Sequence, residues 1–239
     1  MKNLYLIGNA HLDPVWLWRW QEGFSEILAT FRSALDRMNE FPDFKFTSAC
    51  AAYYEWVELA DPEMFAEIKE RVDEGRWGIV GGWYIQPDCN IPSGESFARH
   101  ALISQRYFKS RFNKMAKTGY NVDSFGHNAS LPQILRLSGM ENYVFMRPGP
   151  HEKELSDSLF EWESADGSRV RTFRLPHCYN IGTRSLGLLD EIAKSTDTHP
   201  MMAFYGVGNH GGGPTIELIT KIKERRRGNE VFSTPDEFF

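Results

Sequence analysis

The chain has 239 residues, 41% apolar and 25% charged, enough to bury a large core without disulfide or metal staples. Its net charge of −5 argues against duplex nucleic acid as a partner, and this composition excludes a disordered, collagen-like or coiled-coil chain. Three widely spaced cysteines, Cys50, Cys89 and Cys178, fit a reducing compartment better than a disulfide framework. The apolar run Leu4 to Ile7 is too short for a signal peptide or a membrane span, so the expectation is a cytoplasmic protein with no membrane partner.

In chain order, strands are expected at 4–8, 45–50, 77–81, 118–122, 142–146, 170–175 and 201–205. Helices are expected near 24–39, 52–73, 95–113, 130–138, 185–195 and 214–227. Seven strands alternating with helices point to a parallel sheet, open or closed into a barrel. The basic run Arg225-Arg226-Arg227 reads as the solvated cationic end of the last long helix. Residues 230–233 read as extended. Thr234 and Pro235 then open a helix just as the sequence stops, so one domain over 1–239, a piece of a longer protein, is the expected organisation.

The unusual residues follow the strands, where parallel α/β folds bind ligands. His11 and Asp13 follow the first strand and, with period-two alternation, share a side. They could begin a zinc or manganese site or simply hydrogen-bond to each other. Trp16, Trp18 and Trp20 alternate, which fits either core filling in a strand or a cleft that stacks flat sugar rings. Asp123 ends the fourth strand, with His127 close behind; a helix-capping role is the plain alternative for Asp123. The segment Gly206 to Thr215 contains G-x-G-x-x-G between a strand and a helix. That admits an NAD(P)-dependent oxidoreductase, although a dinucleotide fingerprint belongs on a first strand rather than the last. The other reading is a loop that lets backbone approach a ligand, with His210 projecting into the site.

Together, His11-Leu12-Asp13-Pro14-Val15-Trp16, Gly81-Gly82-Trp83, the run from Pro87 through Asp88 to Ser96, Asp123 to His127, Arg147 and Gly206 to Thr215 resemble the catalytic domain of the family 38 α-mannosidases, more closely the bacterial branch. These are zinc-dependent retaining glycoside hydrolases. The resemblance implies a seven-stranded parallel β/α barrel, a Zn2+ cofactor and an α-mannoside or mannose-containing oligosaccharide as substrate. It implies His11, Asp13 and Asp123 as zinc ligands, and Asp123 also as the nucleophile. Trp16, Arg147, Asn209 and His210 are implied to bind substrate. Where many members carry an Asp in the last loop, this chain has Asn209-His210, which leaves His210 or Asp88 as the general acid. The family's fourth zinc ligand, a His, has no counterpart here beyond His127, His177 or His210, so the isolated piece is expected to be poorly active. A metal-dependent sugar-binding module and a zinc sugar deacetylase remain alternatives.

Overall fold

In a computed structural model the described residues are 2–197, 199–208 and 210–239. The chain divides into two compact units, the first made of Met1–Ser48, Glu55–Gly78 and His177–Phe238, the second of Ala49–Tyr54, Ile79–Pro176 and Phe239. The elements in order are β1 (Leu4–Ala10), α1 (Trp20–Glu40), β2 (Phe46–Ala49), α2 (Ala51–Ala60), α3 (Pro62–Asp73), β3 (Trp77–Val80), α4 (Gly94–Phe112), β4 (Thr118–Asn121), α5 (Leu131–Leu137) and β5 (Asn142–Phe145). There follow β6 (Leu159–Glu163), β7 (Arg169–Arg174), α6 (Gly187–Lys194), a short 3-10 turn, β8 (Met201–Val207), α7 (Ile216–Arg225), β9 (Glu230–Phe232) and α8 (Pro235–Phe238).

The strands form two sheets. One has five strands in the order β3-β2-β1-β8, with β9 pairing β1; the other has four, in the order β4-β5-β7-β6. This overturns the expected seven-stranded parallel barrel. The second sheet is mixed, because β6 and β7 form an antiparallel hairpin from Leu159↔Phe173 to Glu163↔Arg169. Its turn is chemically specified. Asp166 Oδ1 accepts from the Ser168 amide at 3.1 Å, and Gly167 takes φ +84°. The short alternating run Leu159–Glu163 carries too little apolar signal to announce a strand, which is why a purely parallel count misses it.

The first sheet is held by apolar strands. Leu4, Leu6 and Ile7 of β1 and Met202 and Phe204 of β8 are fully or almost fully buried, and each such side chain contributes about 1.5–3 kcal/mol. Phe31 of α1 and Phe46 of β2 both meet Trp77 edge-on, at 5.1 and 4.9 Å between centroids. At the end of β8, Gly206 has φ +143° and lies so close to Asn9 that a Cβ would stand 2.0 Å from its carbonyl oxygen. Only glycine fits there. In the second unit Trp83, Phe97, Leu131, Leu135, Met140 and Tyr143 build a separate core.

Local chemistry sets the helix ends. The long helix expected over 52–73 is two helices, because Asp61 accepts from the Met64 amide at 2.9 Å and Pro62 starts a new one. Ser93 caps α4 and Thr215 caps α7. The basic run at the end of α7 is consumed locally. Arg225 and Arg227 pair with Asp190, and Arg226 with Asp43. The three cysteines are free. No helix among the described residues is long and apolar enough to cross a membrane.

Candidate active site

In the first unit, β1 ends at Ala10, and the buried His11 opens an irregular segment that runs up to α1. His11 Nε2 stands 3.3 Å from Asp13 Oδ1. Two donors bound tetrahedrally to one zinc at the usual bond lengths stand roughly 3.3–3.5 Å apart, so the pair has the spacing and the nitrogen and oxygen chemistry of a half-site. Among the described residues no group of three His, Cys, Asp or Glu side chains gathers as a metal-binding set. The tilted ring of Tyr179 packs on His11 at 5.0 Å between centroids.

The tryptophans do not fill a core. Trp16 is 57% exposed and Trp20 53%, and the segment before α1 is loop rather than strand. Trp18 is the anchor. Its Nε1 donates to the Asp13 carbonyl at 2.9 Å, and its ring meets both Trp16 and His210 edge-on. His210 Nε2 lies 2.6 Å from Glu22 Oε1, and Nδ1 lies 3.9 Å from Glu26 Oε1. Sequence reasoning missed both glutamates, although a signal was present. Carboxylates four residues apart on a helix repel unless something cationic or protonated sits between them. Asn209 lies outside the described residues.

The glycines after β8 have packing roles. A Cβ on Gly208 would meet the Tyr179 ring at 2.4 Å, and one on Gly211 would meet Glu26 at 2.6 Å. His177, another residue considered for metal, lies 3.5 Å from Glu191.

In the second unit the loops after β4 and β5 supply Asp123 and Arg147. Arg147 Nε donates to Asp123 Oδ1 at 3.0 Å, and the guanidinium lies over the Phe125 ring at 4.5 Å. The same arginine's carbonyl oxygen is 2.7 Å from His127 Nε2. A carbonyl only accepts, so Nε2 carries the proton. Nδ1 then accepts from the Tyr143 hydroxyl at 2.9 Å. Burial lowers the His127 pKa, in keeping with this neutral tautomer. With both nitrogens engaged, His127 is not placed to ligate a metal.

Beneath this pair runs a buried polar lattice that the sequence did not announce. Asn121 Oδ1 accepts from Trp83 Nε1 at 3.0 Å, and its Nδ2 contacts the Pro87 carbonyl, Cys89 Sγ and Ser124 Oγ. Burial pushes the Cys89 thiol up to about 11, which makes it a structural thiol rather than a nucleophile. Asp88, the other candidate acid, accepts from the Asn90 and Ile91 amides, and these hydrogen bonds hold its pKa below the ordinary aspartate value. A carboxyl stabilised as its anion is a poor proton donor.

The family model for the glycosyl hydrolases family 38 N-terminal domain matches residues 1–239. The chain belongs to family 38. It is 34% identical to alpha-mannosidase G of Dictyostelium discoideum over 99% of its own length and 31% identical to an alpha-mannosidase of Saccharomyces cerevisiae over 100%. It spans 22% and 24% of those two proteins. Its fold is similar to that of an alpha-mannosidase from Enterococcus faecalis, with TM-score 0.84 and 19% identity over 100% of this chain and 29% of that one. The match is to family 38 as a whole and does not single out a bacterial branch.

Proposed function

We propose that this family 38 chain carries catalytic residues of a retaining α-mannosidase acting on α-mannosides or mannose-containing oligosaccharides. Membership of the family and similarity to proteins named alpha-mannosidase support the reading. The observation that carries it is Asp123, set at the carboxyl end of β4 and oriented by Arg147. One oxygen is fixed by a charge-assisted hydrogen bond, so the carboxylate has a defined direction of attack.

In the first step the Asp123 carboxylate attacks the anomeric carbon, forming a C–O bond to the enzyme as the glycosidic oxygen leaves. A general acid gives the departing oxygen its proton, a role for which His210, steadied by Glu22, is this chain's candidate. In the second step the same group takes a proton from water. The water oxygen attacks the same carbon and Asp123 leaves as a carboxylate. Two inversions give net retention. Trp16 offers its exposed face to the apolar side of a sugar ring. His11 and Asp13 would be among the ligands of a zinc ion, which when bound supplies a Lewis acid for sugar hydroxyls.

Trapping tests this directly. An activated fluoro-mannoside, reacted with the protein and followed by peptide mass spectrometry, should leave one mannosyl adduct on the peptide containing Asp123. A label on a different carboxylate, or hydrolysis with inversion, would remove the assignment.

A further inference from the structure

The loop after β8 is rich in glycine, and it carries a side chain on which the proposed reaction draws. Gly211, Gly212 and Gly213 follow His210 directly, and Gly212 and Gly213 take φ +119° and +61°. Successive residues without a Cβ leave the chain many conformations, so such a loop keeps a single one only if its backbone is gripped from outside. The contacts of the His210 ring, to Glu22 and to Trp18, act on the side chain and not on that backbone.

The grip comes from α1. The Gly212 amide donates to Thr30 Oγ1 at 2.8 Å. Thr30 is fully buried in the middle of α1, as are Ile27 and Phe31 on either side of it. A threonine at such a place commonly turns its hydroxyl back to the carbonyl four residues earlier; here the hydroxyl oxygen accepts from the loop. Glu22, Glu26 and Thr30 recur at four-residue steps and so share one face of the helix. Along that face Glu22 meets His210, Glu26 stands 2.6 Å from where a Cβ on Gly211 would be, and Thr30 takes Gly212. The same helix sets the other side of the site. A Cβ on Gly23 would stand 2.1 Å from the Pro14 carbonyl oxygen, so the start of α1 lies directly against the segment bearing Asp13 and Trp16. Gly212 is itself exposed, so water can replace the hydroxyl at small cost in stability. What water cannot supply is a fixed place for the backbone.

The geometry points to Thr30 as a positioning residue. Through the Gly212 amide it holds the glycine loop on α1, and so keeps His210 where it can reach the glycosidic oxygen. It touches no substrate and acts on the reaction only through His210. The inference rests on the reading of His210 as the general acid, whereas the hold on the loop rests on the hydrogen bond alone.

Two variants test this. Thr30→Val keeps the shape and removes the acceptor, while Thr30→Ser keeps the acceptor. Hydrogen exchange followed by mass spectrometry should show the peptide containing Gly212 exchanging about tenfold or more faster in Thr30→Val, with wild-type rates elsewhere and throughout Thr30→Ser. In the protein that shows the activity, kcat/KM reports the first chemical step. Thr30→Val should lower it about tenfold for an alkyl α-mannoside, whose leaving group needs a proton, and no more than about twofold for a dinitrophenyl α-mannoside, whose leaving group does not. Thr30→Ser should restore the first value. A merely structural lesion lowers both alike. Unchanged exchange at Gly212, equal losses on the two substrates, or no loss on either overturns the proposal. His210→Ala, measured beside these variants, keeps the two readings apart. If it loses equally on both substrates, the general-acid reading falls, and exchange at Gly212 still decides whether Thr30 holds the loop.

Discussion

The two units present catalytic candidates in opposite ways. Around His11, Asp13, Trp16 and His210, functional side chains stand on irregular backbone and lean on partners that are themselves half exposed, such as Glu22. Around Asp123 and Arg147 the surface pair rests on a buried lattice of Asn121, Trp83, Ser124, Cys89, Tyr143 and His127. In the first arrangement a side chain can be removed with little loss of fold. In the second, positioning and stability share the same hydrogen bonds, so substitutions should cost both.

The sharpest test of this contrast is Asp123→Asn, which should lower hydrolysis of an aryl α-mannoside by about 10³-fold or more in the protein that shows the activity and, through the weakened Arg147 contact, also lower Tm by about 2 °C in thermal melts. Asn121→Ala strikes the lattice itself. It strands the Trp83 indole N–H and empties a buried site, so a loss of about 3 kcal/mol, roughly 5–10 °C in Tm, is expected from thermal melts. A Tm shift near zero would place the lattice outside the stabilising interactions. His210→Ala belongs to the exposed arrangement. It should cut kcat on a substrate with a poor leaving group by about 10²-fold while moving Tm by no more than about 1 °C.

Smaller effects come from titration. Burial holds His127 neutral in the folded protein, whereas the unfolded chain takes up its proton near pH 6.5. Stability from this residue is therefore full above about pH 6.5 and lost as pH falls toward the lower folded value. The slope should approach about 1 kcal/mol per pH unit in calorimetry between pH 7 and 5. His127→Gln should flatten part of that slope, leaving the contribution of the similarly buried His100. The least change is expected for Glu22→Gln, which should leave Tm unaltered and lower kcat by less than His210→Ala does, because it loosens His210 without removing it.

Much of this was legible in residue order. The seven expected strands all exist within two residues of their predicted ends, because buried parallel strands read as continuous apolar runs. Strand β6 was not legible: Leu159, Phe160 and Trp162 interrupted by Glu161 and Glu163 look like surface loop until β7 is beside them. With it went the barrel, since an alternation of strands and helices counts parallel crossovers and says nothing of a hairpin. His11 and Asp13 do stand 3.3 Å apart, as their spacing suggested, although both lie past the end of β1 on irregular backbone rather than in the strand. The lattice under Asp123 did not, because Asn121, Cys89 and Trp83 are brought together from 32 to 38 positions apart by pairings no local pattern encodes. Glu22 and Glu26 lay in plain view on an amphipathic helix, yet only a histidine from 188 residues later gives them meaning.

The hairpin has one more consequence. Strand β6 is the last in its sheet, so its outer backbone groups could template another chain. It is only five residues long and carries Glu161 and Glu163, which Arg169 partly neutralises from the neighbouring strand. A second molecule approaching edge to edge would meet a short rim of carboxylates, so the strand that offers aromatic rings on one face guards against polymerisation with the other.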